Sequence, residues 1–172
     1  MFVDECGTHT SMTRLRAGAP KGERAHGRVP RNRRKNTTLI ASMTHEGMGP
    51  SVAVVGSTKK AVFEAYVERV LAPSLSPGRV VVMDNLGAHK TKRVRELVEG
   101  VGCELLYLPP YSPDFSPIEE SFSKMKALLR KAQARDRGVL VEAIGRALWA
   151  VTPEDAAGFF GHCGYPLDAQ PS

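Results

Sequence analysis

Cysteine is scarce in this sequence, and long apolar runs are missing. The three cysteines, Cys6, Cys103 and Cys163, are odd in number, far apart and not arranged in CxxC pairs. This pattern argues against a disulfide or zinc framework and predicts reduced thiols in a cytoplasm. No segment approaches the ~18 consecutive apolar residues of a membrane helix, and the start of the chain lacks the pattern of a signal peptide. We therefore expect a cytoplasmic protein with no membrane partner.

Acidic residues are nearly absent from one stretch. The segment from Arg14 to Lys35 contains nine basic residues and a single acidic one, Glu23, which gives it a net charge of +8. The whole chain carries +6, so the remainder sums to −2. Such a local concentration attracts polyanions, nucleic acid first among them. A solvated disordered loop is the alternative.

The chain is most simply one domain over residues 1–172, because 42% hydrophobic and 24% charged residues are typical of a globular protein. The first predicted elements are a strand ending near Asp4, a loop over 7–36 and a hairpin of strands at 37–43 and 51–55. A helix capped by Ser57 and Thr58 follows, and then a strand at 80–84, a helix at 91–100 and a strand at 103–108. The last predicted elements are helices that begin at Pro117, Leu140 and Pro153. A hairpin beside parallel strands with crossover helices predicts an α/β fold, a mixed five-stranded sheet with helices on both faces.

Three acidic residues stand where predicted elements end or begin. Asp4 closes the first strand, and Asp84 closes the Val-rich strand at 80–84. Glu119 lies in the first turn of the helix that follows a proline-rich connector. Ligands of open α/β sheets bind beyond the carboxyl ends of the strands. If the first and fourth strands are neighbours, all three side chains meet at that edge.

Three carboxylates in one crevice repel one another strongly unless a cation lies between them. Hard oxygen ligands favour Mg²⁺ or Mn²⁺, which also bind phosphate oxygens. Two such ions ~3.5–4 Å apart support phosphodiester chemistry. The pattern therefore predicts a two-metal site.

Other interpretations of the acids remain open. Asp84 could cap the next helix, and Glu119 could be a favourable charge at a helix N-terminus. Glu5 should face the other side of the strand from Asp4. Glu120 lies about 100° around the helix from Glu119 and could replace it. Asp114 is expected to form a turn.

Two further features have ordinary interpretations. Trp149, on the last long helix, is predicted to lie in the core. The pair His162 and Cys163 looks like a metal-binding pair only superficially, and we assign it to packing. Neither feature enters the predicted site.

Three motifs together resemble a known family. They are Phe2-Val3-Asp4-Glu5, then Val82-Met83-Asp84-Asn85 with His89, and then the run from Leu108 to Glu119 that reads LPPYSPDFSPIE. These motifs, with 34 residues between Asp84 and Glu119, resemble the catalytic domain of mariner-like DDE transposases, and most of all their bacterial insertion-sequence branch. The loop segments at 18–24 and 29–33 also resemble that branch.

The resemblance implies a ribonuclease H-like fold. It implies that Asp4, Asp84 and Glu119 are catalytic and bind two Mg²⁺ (or Mn²⁺) ions, with Asn85 and His89 in supporting roles. Water would cut DNA at the transposon ends, and the freed 3′-hydroxyl would attack target DNA. It also implies a homodimer or larger assembly on DNA, at the bacterial nucleoid.

The expected phosphate contacts come from the basic loop and from one face of the helix after Pro117. They are Arg24, Arg28, Arg31, Arg33, Arg34, Lys35, Lys126, Arg130 and Lys131. The family usually has Asn at the position of Ser116 and Trp at that of Phe122, and we expect both changes to be tolerated.

The helix-turn-helix modules that family members carry before the catalytic domain are absent from this sequence. A separately encoded DNA-binding subunit is therefore a possible partner. Two alternatives to a transposase are a catalytically inactive DNA-binding remnant and a structure-selective nuclease on the same fold.

Overall fold

A five-stranded mixed sheet forms the centre of the computed structural model, which describes residues 1–27, 30, 35–110 and 112–165. The strands are β1 (Phe2–Thr8), β2 (Thr37–Thr44), β3 (Gly47–Val55), β4 (Val80–Met83) and β5 (Glu104–Tyr107). Their order in the sheet is β3-β2-β1-β4-β5. The hairpin pairs with β1 in antiparallel fashion, whereas β4 and β5 run parallel to β1. The predicted mixed sheet is confirmed.

The first and fourth strands are neighbours, as the predicted site requires. Val3 of β1 pairs with Met83 of β4, the residue that precedes Asp84. Because the two strands are parallel, Asp4 and Asp84 emerge side by side at the same edge of the sheet.

Within the described residues, five α-helices complete the fold. They are α1 (Lys60–Tyr66), α2 (Lys92–Glu99), α3 (Pro117–Ala132), α4 (Arg137–Trp149) and α5 (Pro153–His162). A π-helical turn at Val67–Leu71 and a 3₁₀ turn at Ala72–Ser74 extend α1. A further 3₁₀ turn at Pro113–Phe115 lies just before α3.

Each face of the sheet is covered by its own hydrophobic core. Helices α3, α4 and α5 pack on one face, where Phe2 and Cys6 of β1 point. The helical segment from α1 to Leu71, together with α2, packs on the other face, where Val3 points. This alternation is the two-residue period of a strand buried on both sides. It places Asp4 on the α3 face and Glu5 on the α2 face.

Three details of the sequence interpretation are wrong or incomplete. Strand β1 continues through Thr8, so Asp4 lies within the strand and the loop begins later than residue 7. Lys59 is the N-cap of α1, and neither Ser57 nor Thr58 caps it. Trp149 is 90% exposed, because α4 ends there and the core-facing side of the helix is filled by smaller side chains such as Ala143, Ile144 and Ala147.

In the described part of the chain, no helix is long and apolar enough to cross a membrane.

Candidate active site

The three predicted acids line one cleft at the edge of the sheet. Asp4, Asp84 and Glu119 surround a space of about 450 Å³, together with Asn85 and the Leu108–Pro110 segment that follows β5. We call it the carboxylate cleft. It is open to solvent on one side, and it lies where parallel strands end, the usual position of ligand sites in α/β sheets.

Each acid reaches this cleft from a different element. Asp4 comes from the middle of β1, and Asp84 follows the last residue of β4. Glu119 stands in the first turn of α3, which begins at Pro117 because a proline needs no backbone donor there. The residues are far apart in sequence, so tertiary packing alone brings them together.

Asp4 shows that the cleft concentrates negative charge. Its side chain is buried, and burial raises the pKa of Asp4 to about 7. The hydrogen bond from the Glu5 backbone N–H, 2.6 Å long, opposes this effect, while the charges of Glu119 and Asp84 add to it. The carboxylate is therefore poorly stabilised as an anion, and a cation in the cleft would relieve this cost.

The donor set fits hard divalent cations, since all three side chains offer oxygen atoms. The cleft is open, however. Among residues 1–27, 30, 35–110 and 112–165, no group of three His, Cys, Asp or Glu side chains encloses a single metal position. The residues thus match Mg²⁺ or Mn²⁺ in chemistry and charge, while the arrangement is that of an open cleft between elements.

Asp84 is held in place from behind by His89. The Nδ1 atom of His89 forms a short hydrogen bond with Asp84 Oδ1, and the Leu86 N–H donates to the same oxygen at 3.1 Å. Both contacts use Oδ1, which leaves Oδ2 as the oxygen available to a ligand in the cleft. Burial lowers the pKa of His89, but hydrogen bonds with Asp84 and Glu5 outweigh it and raise this pKa to about 9.

Sequence reasoning missed one contact of His89. Glu5 was expected to face away from Asp4, and it does, yet its Oε1 lies 3.3 Å from His89 Nε2. The alternation along β1 predicts the direction of Glu5, but it does not predict a partner that is 84 residues away.

A second cleft of about 450 Å³ lies on the other side of Glu119 and shares Ser116 and Glu119 with the first. We call it the α5 cleft, because His162 and Cys163 line it together with Asp114 and Glu120. His162 Nδ1 hydrogen-bonds to Glu120 Oε1. Glu120 and Asp114 therefore line the α5 cleft and not the carboxylate cleft, whereas Glu119 lines both.

His162 and Cys163 differ from the packing that we expected for the pair. Cys163 is buried, but the side chain of His162 is 80% exposed and pairs with Glu120. The sequence signal for this pairing is weak, because the two partners come from α3 and α5.

Those predicted phosphate-binding residues that the structure describes fall into two groups. Arg24, Lys35 and Lys131 are exposed, whereas Lys126 and Arg130 are half-buried on α3. Arg28, Arg31, Arg33 and Arg34 lie outside the described residues.

Lys126 is a half-buried basic residue of α3. Its charge opposes the effect of burial on the buried Cys6, which raises the pKa of that thiol to about 11. The charges of Glu119 and Asp4 also act on Cys6, so Lys126 and these two acids lie around the same thiol.

Comparison with known proteins gives a consistent result. The family described as DDE superfamily endonuclease matches residues 1–141. The Mos1 transposase in its paired-end complex with the left transposon end superposes with a TM-score of 0.72 at 19% identity, covering 96% of this chain and 51% of that chain. The Mos1 strand transfer complex gives 0.68 at 21% identity, with 96% and 51% covered. No curated protein matches the chain.

A more distant structure, a simian T-cell lymphotropic virus intasome in complex with a PP2A regulatory subunit, gives a TM-score of 0.56 at 14% identity, with 87% and 47% covered. At such identities the likeness establishes the fold, which is ribonuclease H-like as predicted. The chain spans about half the length of the Mos1 transposase chains that it resembles.

Proposed function

Because the chain belongs to the DDE superfamily of endonucleases, we propose that it is the catalytic domain of a DNA transposase. It hydrolyses phosphodiester bonds at transposon ends with divalent metal, and it transfers the resulting 3′-hydroxyl into target DNA. The observation that carries this proposal is the meeting of Asp4, Asp84 and Glu119 in one cleft. Residues 1–172 act as one catalytic domain in this proposal.

Asp4, Asp84 and Glu119 would hold two Mg²⁺ or Mn²⁺ ions. When bound, such ions activate a nucleophilic oxygen and stabilise the leaving oxygen of an in-line displacement. Related structures support this choice, since Mos1 paired-end complexes have been solved with Mn and with Mg.

The chain's own residues supply position and charge around the phosphodiester. His89 fixes Asp84 Oδ1, so that the other oxygen faces a ligand. Asn85 lines the cleft and can donate a hydrogen bond to a phosphate oxygen. Lys126, beside Cys6, supplies positive charge next to the acids and contacts the DNA backbone.

DNA is the proposed partner, both as transposon ends and as target. The basic residues of the loop and of α3 hold the phosphate backbone with little base readout. We propose a homodimer or larger assembly on paired ends, by analogy with the Mos1 paired-end complexes. Recognition of the end sequence then comes from a helix-turn-helix module or a separately encoded subunit, and the activity takes place at the DNA of a bacterial nucleoid.

The test is nicking of supercoiled plasmid DNA with Mn²⁺. We expect wild type to nick, and we expect Asp84→Asn and Glu119→Gln to lose at least roughly 100-fold in rate, since each removes a metal ligand. Glu120→Gln is the matched control, because it removes the neighbouring carboxylate from the same helix turn and should keep the rate within about twofold. Equal nicking by wild type and all three variants would overturn the enzymatic proposal. DNA binding without nicking by wild type would identify an inactive DNA-binding protein, and cutting confined to branched DNA a structure-selective nuclease.

A further inference from the structure

Glu5 lies behind the carboxylate cleft, on the opposite face of β1 from Asp4. Its side chain is only 19% exposed, and its Oε1 atom is 3.3 Å from His89 Nε2. Nothing in the proposed chemistry uses Glu5 directly, because it does not line the cleft. A half-buried carboxylate without such a use needs another explanation.

His89 links the side chain of Glu5 to Asp84 of the cleft. Its ring is fully buried and stacks on Phe63, with the ring centroids 4.0 Å apart and the planes inclined by 29°. Its backbone is also fixed, since the His89 N–H donates to Leu86 O and the Tyr107 hydroxyl donates to His89 O, both at 3.0 Å. The motion left to the His89 ring is rotation about the Cβ–Cγ bond.

We propose that Glu5 is a positioning residue that sets the orientation of this ring and, through it, the orientation of Asp84. A carboxylate accepts hydrogen bonds and donates none, so each contact uses an N–H of the ring. With Glu5 on Nε2, Nδ1 is turned toward Asp84 and holds Oδ1. Without Glu5, a ring flip that places carbon at the position of Nδ1 costs less, and Asp84 loses its fixed oxygen whenever the ring flips.

In this arrangement, the adjacent acids Asp4 and Glu5 of β1 have different roles. Asp4 faces the cleft, while Glu5 reaches the cleft only through His89 and Asp84. Hydrogen-bond partners that orient a metal ligand typically matter by 10- to 100-fold in metal affinity or activity. Glu5 is one step further away, so we expect roughly 10-fold. The inference rests on the proposed function only where it concerns metal and DNA.

The test compares Glu5→Leu with Glu5→Gln in the full chain. Leucine removes the acceptor at similar size, whereas glutamine keeps an oxygen that can accept from Nε2. Glu104→Gln, an exposed carboxylate at the start of β5, is the control. The first readout is the ¹H–¹⁵N NMR signal of the His89 ring without metal. We expect two protected ring N–H signals in wild type and in Glu5→Gln, and loss of the Nε2 signal in Glu5→Leu.

The second readout is Mn²⁺ affinity by calorimetry, with plasmid nicking beside it. We expect roughly 10-fold weaker Mn²⁺ binding in Glu5→Leu and near wild-type binding in Glu5→Gln and Glu104→Gln. Glu5→Leu that binds Mn²⁺ like wild type overturns the proposal, and so does Glu5→Gln that loses the Nε2 signal. If Glu5→Leu does not fold, Glu5→Gln decides by its NMR signals. Because the ring signals need no DNA, failure of wild type to cut DNA would overturn the transposase proposal without touching this one.

Discussion

The carboxylate cleft and the α5 cleft share Ser116 and Glu119, yet they hold their acids in different ways. In the carboxylate cleft, the buried Asp4 has neighbouring carboxylates that make its charged form still less favourable. In the α5 cleft, the hydrogen bond from His162 Nδ1 to Glu120 raises the pKa of the exposed His162, so a basic side chain of the protein itself lies against the acid. An external cation would therefore stabilise the charged form of Asp4, whereas Glu120 already has a basic partner in His162. This difference separates a candidate active site from an ordinary charged surface one helix turn away.

The sharpest way to break the comparison is to remove one acid from each cleft. We expect Asp4→Asn to lose at least roughly 100-fold in Mn²⁺-dependent nicking, because a metal ligand is lost. Asp114→Asn, in the α5 cleft, should stay within about twofold of wild type. Plasmid nicking rates measure both. Comparable losses in the two variants would mean that the clefts form one functional site.

Stability against pH tests the charge in the carboxylate cleft. The pKa of Asp4 is raised from 3.8 to about 7, so between these values the folded state binds a proton that the unfolded state has lost. Stability must then fall as pH rises from about 4 to 7. Since one pKa unit corresponds to about 1.4 kcal/mol, we expect a fall of a few kcal/mol that Asp4→Asn abolishes. Urea unfolding at pH 4 and pH 7 measures it.

His89 contributes a second loss of stability, at higher pH than the loss that Asp4 causes. Its folded pKa of about 9 exceeds the ordinary histidine pKa of 6.5, so its contribution to stability is complete below pH 6.5 and is lost as pH rises through 9. The difference between wild type and Asp4→Asn isolates the first change. A wild-type profile that is flat between pH 4 and 7 would contradict the buried charge in the cleft.

Added Mn²⁺ should stabilise the protein by binding in the carboxylate cleft and not in the α5 cleft. At a Mn²⁺ concentration 100 times the dissociation constant, binding to the folded state adds about 2.7 kcal/mol of stability. We expect a rise in melting temperature with Mn²⁺ for wild type and Glu120→Gln, and a much smaller rise for Asp4→Asn. Calorimetric melting at pH 8 measures this. A response lost in Glu120→Gln and kept in Asp4→Asn would place the metal in the α5 cleft.

The smallest effect is expected from the ion pair of the α5 cleft. His162 is largely exposed, and exposed ion pairs contribute little to stability. His162→Gln should therefore leave both the nicking rate and the melting temperature close to wild type. A large loss of nicking in a folded His162→Gln would show that α5 takes part in the active site.

Much of the fold could be predicted because its signals are local. The run of valines before Asp84, the turn between β2 and β3 and the apolar stripe of α3 each depend on residues close in sequence. The position of Glu119 in the first turn of α3 follows from the proline before it. Trp149 shows the limit of this reasoning, because an apolar residue near the end of a helix is buried only if another element covers it.

The DNA-contacting residues remain predictions for a different reason. Their net charge can be counted from the sequence, but a long loop rich in Gly, Pro and Arg has no periodicity that predicts its path. Arg135 donates to the carbonyls of Thr10 and Met12, which fastens the beginning of this loop to the chain after α3. That anchor joins residues more than 120 positions apart, and no local pattern indicates it.

The sequence by itself determined the kinds of element, the two-residue alternation that sends Asp4 and Glu5 to opposite faces of β1, and the identity of the acids. Only the tertiary structure decided which of those acids share a cleft, and that Glu5 ends against His89. The reason is physical: backbone geometry and side-chain periodicity are set by near neighbours, whereas the environment of a charge is set by whatever packing brings beside it.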